Sequence, residues 1–164
     1  MSVATAISRL AARFMAASPA APAAALTRVI EDSSARFDAG DLPLAVLRFE
    51  PEAENYLKLE TVGSPGLGRH DYRVQFFVLI GVVTGPDIVP SLHEKAKEWG
   101  YALLVALASD IKLGGAVDFI GGWEDQPGVL ATYQVRPITW WDGESYYGLV
   151  GSITVCEKPS VTIG

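Results

Sequence analysis

The chain has one cysteine, Cys156, and two histidines, His70 and His93, in 164 residues. A single cysteine excludes an internal disulfide and a zinc site built on thiolates, and it fits a reducing compartment. A histidine metal site needs three or four converging ligands, and no H-x-x-x-H spacing is present. Basic residues are also short. Thirteen Lys and Arg against nineteen Asp and Glu leave a formal charge of −6. That argues against a clamp that holds nucleic acid by displacing counterions, while leaving open a surface past which nucleic acid slides without sticking. Long apolar runs are missing as well. The longest, Val74 to Val83, is broken by Gln75 and Gly81 and falls well below the roughly 18 residues of a membrane span. No catalytic signature occurs. Gly66-Leu67-Gly68 precedes a strand rather than a helix, so it does not read as a phosphate cradle.

What is present is a globular composition, 49% hydrophobic, of a length that suits one domain with a substantial core. Val3, Ile7, Leu10 and Phe14 recur at helical spacing, with Ser2 able to cap the start. Arg9, Arg13 and the small residues around them also resemble an organelle transit peptide. An amphipathic helix of the fold, over residues 1–17, is the preferred reading. Ser18-Pro19 and Pro22 end that helix. The segment 18–41 is an Ala/Pro connector in which Leu26, Ile30, Ser33 and Phe37 suggest a second short helix, stopped by Gly40.

Residues 42–157 carry the sheet and the main helix. Asp41 to Glu50 and Asn55 to Val62 read as two strands, joined through Pro51 to Glu54 as a hairpin. Gly63 to Gly68 is an exposed loop by its turn chemistry. Tyr72 to Thr84 is a long strand. It alternates at first (Tyr72, Val74, Phe76 against Arg73, Gln75) and then becomes apolar on both faces, so its second half needs cover from a helix or a neighbouring subunit. Gly85-Pro86-Asp87 leads into the main helix, with capping-box spacing at Ser91 and Glu94. Its buried stripe is Ile88, Leu92, Ala96, Trp99, Leu103 and Ala106. The second half adds Leu104, Val105 and Leu107 and is apolar nearly all round, so it must be covered on more than one side. After Leu113-Gly114-Gly115 the segment Asp118 to Gly128 is irregular. Val129 to Arg136 is a strand ended by Pro137. Trp140 to Glu144 is a turn. In the last strand Tyr147, Leu149, Gly151, Ile153 and Val155 face inward.

Individual residues of chemical interest each have a structural reading that outweighs the functional one. His70 and His93 read as surface or boundary residues. Cys156 falls in the alternation of the last strand. Glu50, Glu52, Glu54 and Glu60 read as a solvated hairpin face rather than a cation or acid–base site. Trp123, Trp140 and Trp141 sit in turns near acids and suit loop anchoring or partner contact better than a sugar platform.

The order of elements carries more than any residue. A helix ends in Ala106-Leu107-Ala108-Ser109-Asp110-Ile111-Lys112-Leu113-Gly114-Gly115. Two strands follow, the last reading Tyr146-Tyr147-Gly148-Leu149-Val150-Gly151-Ser152-Ile153-Thr154-Val155. From Leu44 to Val155 this resembles the tail terminator, or tail completion, proteins of long-tailed bacteriophages and related tail-like particles. The resemblance implies a single α+β domain, a mainly antiparallel sheet backed by one long helix, with an N-terminal helix and hairpin. It implies a homohexameric ring that stops tail-tube polymerisation and meets the head-side connector. It implies no catalytic residues, no cofactor and no metal. Its partners would be further copies of itself, the tail tube protein, the connector, and double-stranded DNA passing the lumen without specific binding. The location would be the virion's tail–neck region, assembled in the host cytoplasm. Phe77, Leu79, Val83, Trp140, Trp141 and Tyr146 are the candidate interface residues. An acidic lumen would repel phosphate. The alternatives are another neck or tube ring component, or a small ligand-binding or enzymatic domain centred on Trp140, Trp141 and Asp142.

Overall fold

The computed structural model describes residues 3–31, 36–50, 56–60, 67–121 and 129–157, with side chains omitted at 56–60 and 67–69. Ser2, the Pro51–Glu54 link, residues 61–66 and Trp123 lie outside these. The described elements are α1 (Val3–Ala16), β1 (Arg28–Ile30), β2 (Leu44–Phe49), β3 (Tyr56–Glu60), β4 (Leu67–Val82), α2 (Val89–Ala108), β5 (Phe119–Ile120), β6 (Thr132–Thr139) and β7 (Ser145–Glu157). They form an α+β domain with one mixed sheet.

Two long antiparallel strands, β4 and β7, are the spine of the sheet. Each outer edge of that ribbon is shared by two shorter strands. β2 pairs with β4 over Val74–Leu79, and β3 with β4 over Leu67–Asp71. β6 and β5 divide the outer edge of β7 in the same way. The β4–β7 register shifts between Leu79 and Gly81, which leaves Ile80 as an extra residue. Gly148 lies opposite this bulge. A Cβ there would run into the Val78 carbonyl, so the close approach of the two backbones requires glycine.

The main core lies between one sheet face and the two helices. Period-two residues of β4 (Tyr72, Val74, Phe76, Val78, Ile80) and β7 (Leu149, Ile153, Val155) meet Leu10 and Phe14 of α1 and Leu92, Trp99 and Leu103 of α2. Phe14 and Phe76 pack edge to face at 5.4 Å between centroids. Trp99 is fully buried and its indole N–H donates to the Ala24 carbonyl at 3.0 Å. That bond ties the Ala/Pro connector to α2. Leu113, Gly114 and Gly115 all have positive φ (49°, 67° and 86°), so the chain reverses after α2 in a left-handed turn with Leu113 buried as its anchor.

Several expectations are revised. Among the described residues of Leu26 to Phe37 no helix forms, and Ser33 lies outside them. Thr27 donates its N–H to the Pro43 carbonyl at 2.9 Å, and Arg28–Ile30 adds a parallel strand beside β2. Leu26 and Ile30 enter different cores, so their spacing was no helical stripe. β2 and β3 are no hairpin, because both pair with β4 rather than with each other. β4 starts at Leu67, inside the expected Gly63–Gly68 loop. The Ser91/Glu94 capping box does not form. A 3₁₀ turn over Pro86–Ile88 leads directly into α2, which has no side-chain cap. β6 continues through Pro137 to Thr139, which is tolerated because β6 pairs only with β7 and its other side makes no ladder.

Candidate interface surface

The six candidate interface residues separate on folding. Phe77, Leu79, Trp140 and Tyr146 are buried in a second core on the sheet face away from the helices, together with Leu44, Val46 and Ile138. Phe37 closes this core over Trp140 and Tyr146, at 5.7 and 5.5 Å between ring centroids. The apolar second half of β4 is thus covered on both faces by its own chain. These four residues offer little area to a neighbour, which corrects the expectation that they form a seam. Val83 is half-buried against the main core. Only Trp141 projects, with 61% of its surface exposed.

The other exposed surface is on α2. Its C-terminal half is not covered all round. Tyr101 is 69% exposed, and Leu104 and Val105 are each 53% exposed. With Ala108 they follow i, i+3, i+4, i+7 spacing, so they form one continuous stripe. A groove flanks the stripe on each side. The first, about 300 Å³, runs between α2 and the end of α1 and is lined by four alanines, by Tyr101 and Val105 of the stripe, and by Arg13 and two serines. Arg13 is held there by a 2.8 Å ion pair with Asp110. The second, about 260 Å³, lies between α2 and β6 and is lined by Phe76, Leu103, Leu107, Leu130 and their neighbours. Tyr133 lies across Gly100, so close that a Cβ at that position would strike its ring at 2.8 Å. The sequence identified the apolar surface of α2 and its need for cover on more than one side, without saying what supplies that cover. Among the described residues, no further apolar element covers it.

The polar residues are tied into local structure. His93 Nδ1 lies 2.8 Å from the Tyr147 hydroxyl. Glu50 accepts a hydrogen bond from Ser152 at 2.8 Å, and Arg48 donates to Gln75 at 2.6 Å across the outer sheet face. Tyr72 donates to the buried Glu157 carboxylate at 2.7 Å, and burial followed by that carboxylate pushes the Tyr72 hydroxyl far above the usual tyrosine range. Tyr146 donates to Asp142 at 2.8 Å. Its hydroxyl is pushed up to about 12 by burial first, then by Asp142. Both tyrosines stay neutral and act as donors that fix strand ends. Cys156 is fully buried in β7. Among the described residues no three His, Cys, Asp or Glu side chains gather as a metal site. None of the described helices is long and apolar enough to cross a membrane. No protein-family model matches the chain, and no curated protein matches it.

Proposed function

We propose that the chain is the subunit of a closed ring in the tail–neck region of a long-tailed bacteriophage or a related tail-like particle. The ring caps the tail tube, stops its polymerisation and joins it to the head-side connector. The observation that carries this reading is the uncovered stripe Tyr101, Leu104, Val105. A contiguous apolar helix face flanked by two grooves is an association surface, since monomers seldom expose one. The order of elements from β2 to β7 and its likeness to tail terminators supply the particular assembly. The ring has no catalytic task in this reading, and the tight local pairing of His93, Tyr72 and Tyr146 suits that. Each copy contributes a charge of −6, so DNA would pass the lumen without adhering.

The α2–β6 groove favours one second reading, a small apolar-ligand site. Its volume lies below the ~300–1,000 Å³ of small-molecule pockets, which places it behind the ring. The Trp140–Trp141 platform is no longer open, because Trp140 is buried. The test is addition of the purified chain to polymerising tail tube protein. Growth should stop at a defined end, with the chain found at that end. Unchanged tube growth with no bound chain would refute the assignment.

A further inference from the structure

A ring is built head to tail, so each subunit needs two different, mutually complementary surfaces. We propose that Trp141 of one copy seats in the α2–β6 groove of the next. This rests on the ring reading and names the contact that makes the ring.

The groove has the character of a receptor for a single apolar side chain. Its lining is apolar apart from Tyr133, and its size suits one aromatic ring better than a drug-sized ligand. Trp141 has the character of the insert. It stands at the tip of the β6–β7 turn, and its ring rests 5.2 Å from that of Trp140. Trp140 is itself locked edge to face on Phe77 at 5.2 Å. A rigidly held tryptophan loses little rotamer freedom on docking, the usual property of an interface anchor. Among the described residues, Met15, Phe49 and Ile111 are the other large apolar side chains exposed outside the grooves and the α2 stripe; Phe49 also rests on a ring, that of Tyr72, but it ends strand β2 rather than standing at the tip of a turn.

Trp141 cannot fill its own groove. Tyr133 lies at the groove, near the start of β6, and Trp141 follows in the turn beyond Thr139, where the strand ends; six residues of strand at about 3.4 Å each separate the two by roughly 20 Å. Knob and hole sit at opposite ends of one strand. Reciprocal insertion would close a two-fold dimer, whereas one-way insertion continues head to tail, and the ring reading requires the second. Charge agrees. Asp142 and Glu144 flank Trp141 and are exposed. On α2 the residues at helical spacing along the groove side are His93, Lys97, Gly100, Leu104 and Leu107, which puts exposed Lys97 near the groove. Glu94 and Glu98 fall on the opposite flank, with Val105. An acidic tip therefore meets a groove whose nearest helix charge is positive.

The test uses the full chain. Trp141→Glu should leave the circular dichroism spectrum and melting of the subunit unchanged while raising the concentration for half-assembly about 30-fold or more. Trp141→Phe should retain assembly. Chains carrying Glu144→Cys and chains carrying Lys97→Cys, which keep Trp141 and the groove intact, mixed and treated with a short bis-maleimide, should give cross-linked dimers that neither chain gives alone. If wild-type protein assembles and Trp141→Glu assembles equally well, or the mixed chains do not cross-link, the groove contact is wrong and the ring survives. If wild-type protein stays monomeric at every concentration, the ring reading itself falls.

Discussion

Replacing Phe14 by alanine tests whether α1 belongs to the fold or is a dispensable leader. Phe14 is fully buried and meets Phe76 edge to face at 5.4 Å. Its neighbour Met15, about a quarter-turn further round the same helix, is 47% exposed. The two substitutions sit at adjacent positions of one helix and differ in helix propensity by only about a few tenths of a kcal/mol, so burial is the main difference between them. Emptying a fully buried phenylalanine site costs about 3–5 kcal/mol, the removed ring and the cavity both included. Truncating a half-exposed methionine costs roughly 0.5–1 kcal/mol. A domain of this size has a total stability of about 5–15 kcal/mol, so Phe14→Ala removes a large share of it. Urea unfolding followed by tryptophan fluorescence, at one protein concentration for all variants, gives both values. The expected result is a much lower midpoint for Phe14→Ala at an unchanged slope, and a near-native midpoint for Met15→Ala. Equal, small losses for both would mean that α1 does not pack on the sheet, and the transit-peptide reading would replace it.

Three further outcomes follow from the same structure. Tyr146 ionises at about 12 when folded and near 10 when unfolded, so its contribution is fully present below pH 10 and is lost as pH rises toward 12. Stability measured across that window should fall, and Tyr146→Phe should flatten the fall. A double-mutant cycle on Arg13 and Asp110, whose ion pair is partly exposed, should give a coupling of about 0.5–1 kcal/mol that shrinks in high salt. Cys156 should resist a thiol reagent in the native protein and react completely in concentrated urea; rapid native labelling would contradict the burial of β7.

Patterns that depend on a single element were legible in the sequence. The stripe of α1, the strand β7 and the turn at Leu113–Gly115 follow from period and from glycine chemistry. The features that were missed depend on partners distant in the chain. Thr27-Arg28-Val29-Ile30 is too short to declare itself a strand without β2 beside it. β2 and β3 look like a hairpin until both are seen paired with β4. Pro137 ends a central strand by rule, and only the topology shows that β6 lies at an edge. The interface suffered in the same way. Phe77, Leu79, Trp140 and Tyr146 form an apolar set in sequence, but Phe37 and Ile138 cover it from elsewhere in the chain. The surplus of Tyr101, Leu104 and Val105 was legible as apolar, and the structure adds that no described part of the chain covers them.

The central claim is that these residues are covered by further copies of the chain. Native mass spectrometry of the purified protein tests it most directly. The account predicts a discrete closed species at six times the 17.5 kDa chain mass, with Leu104→Glu reducing it to single chains. A wild-type chain that remains at 17.5 kDa at every accessible concentration would contradict it.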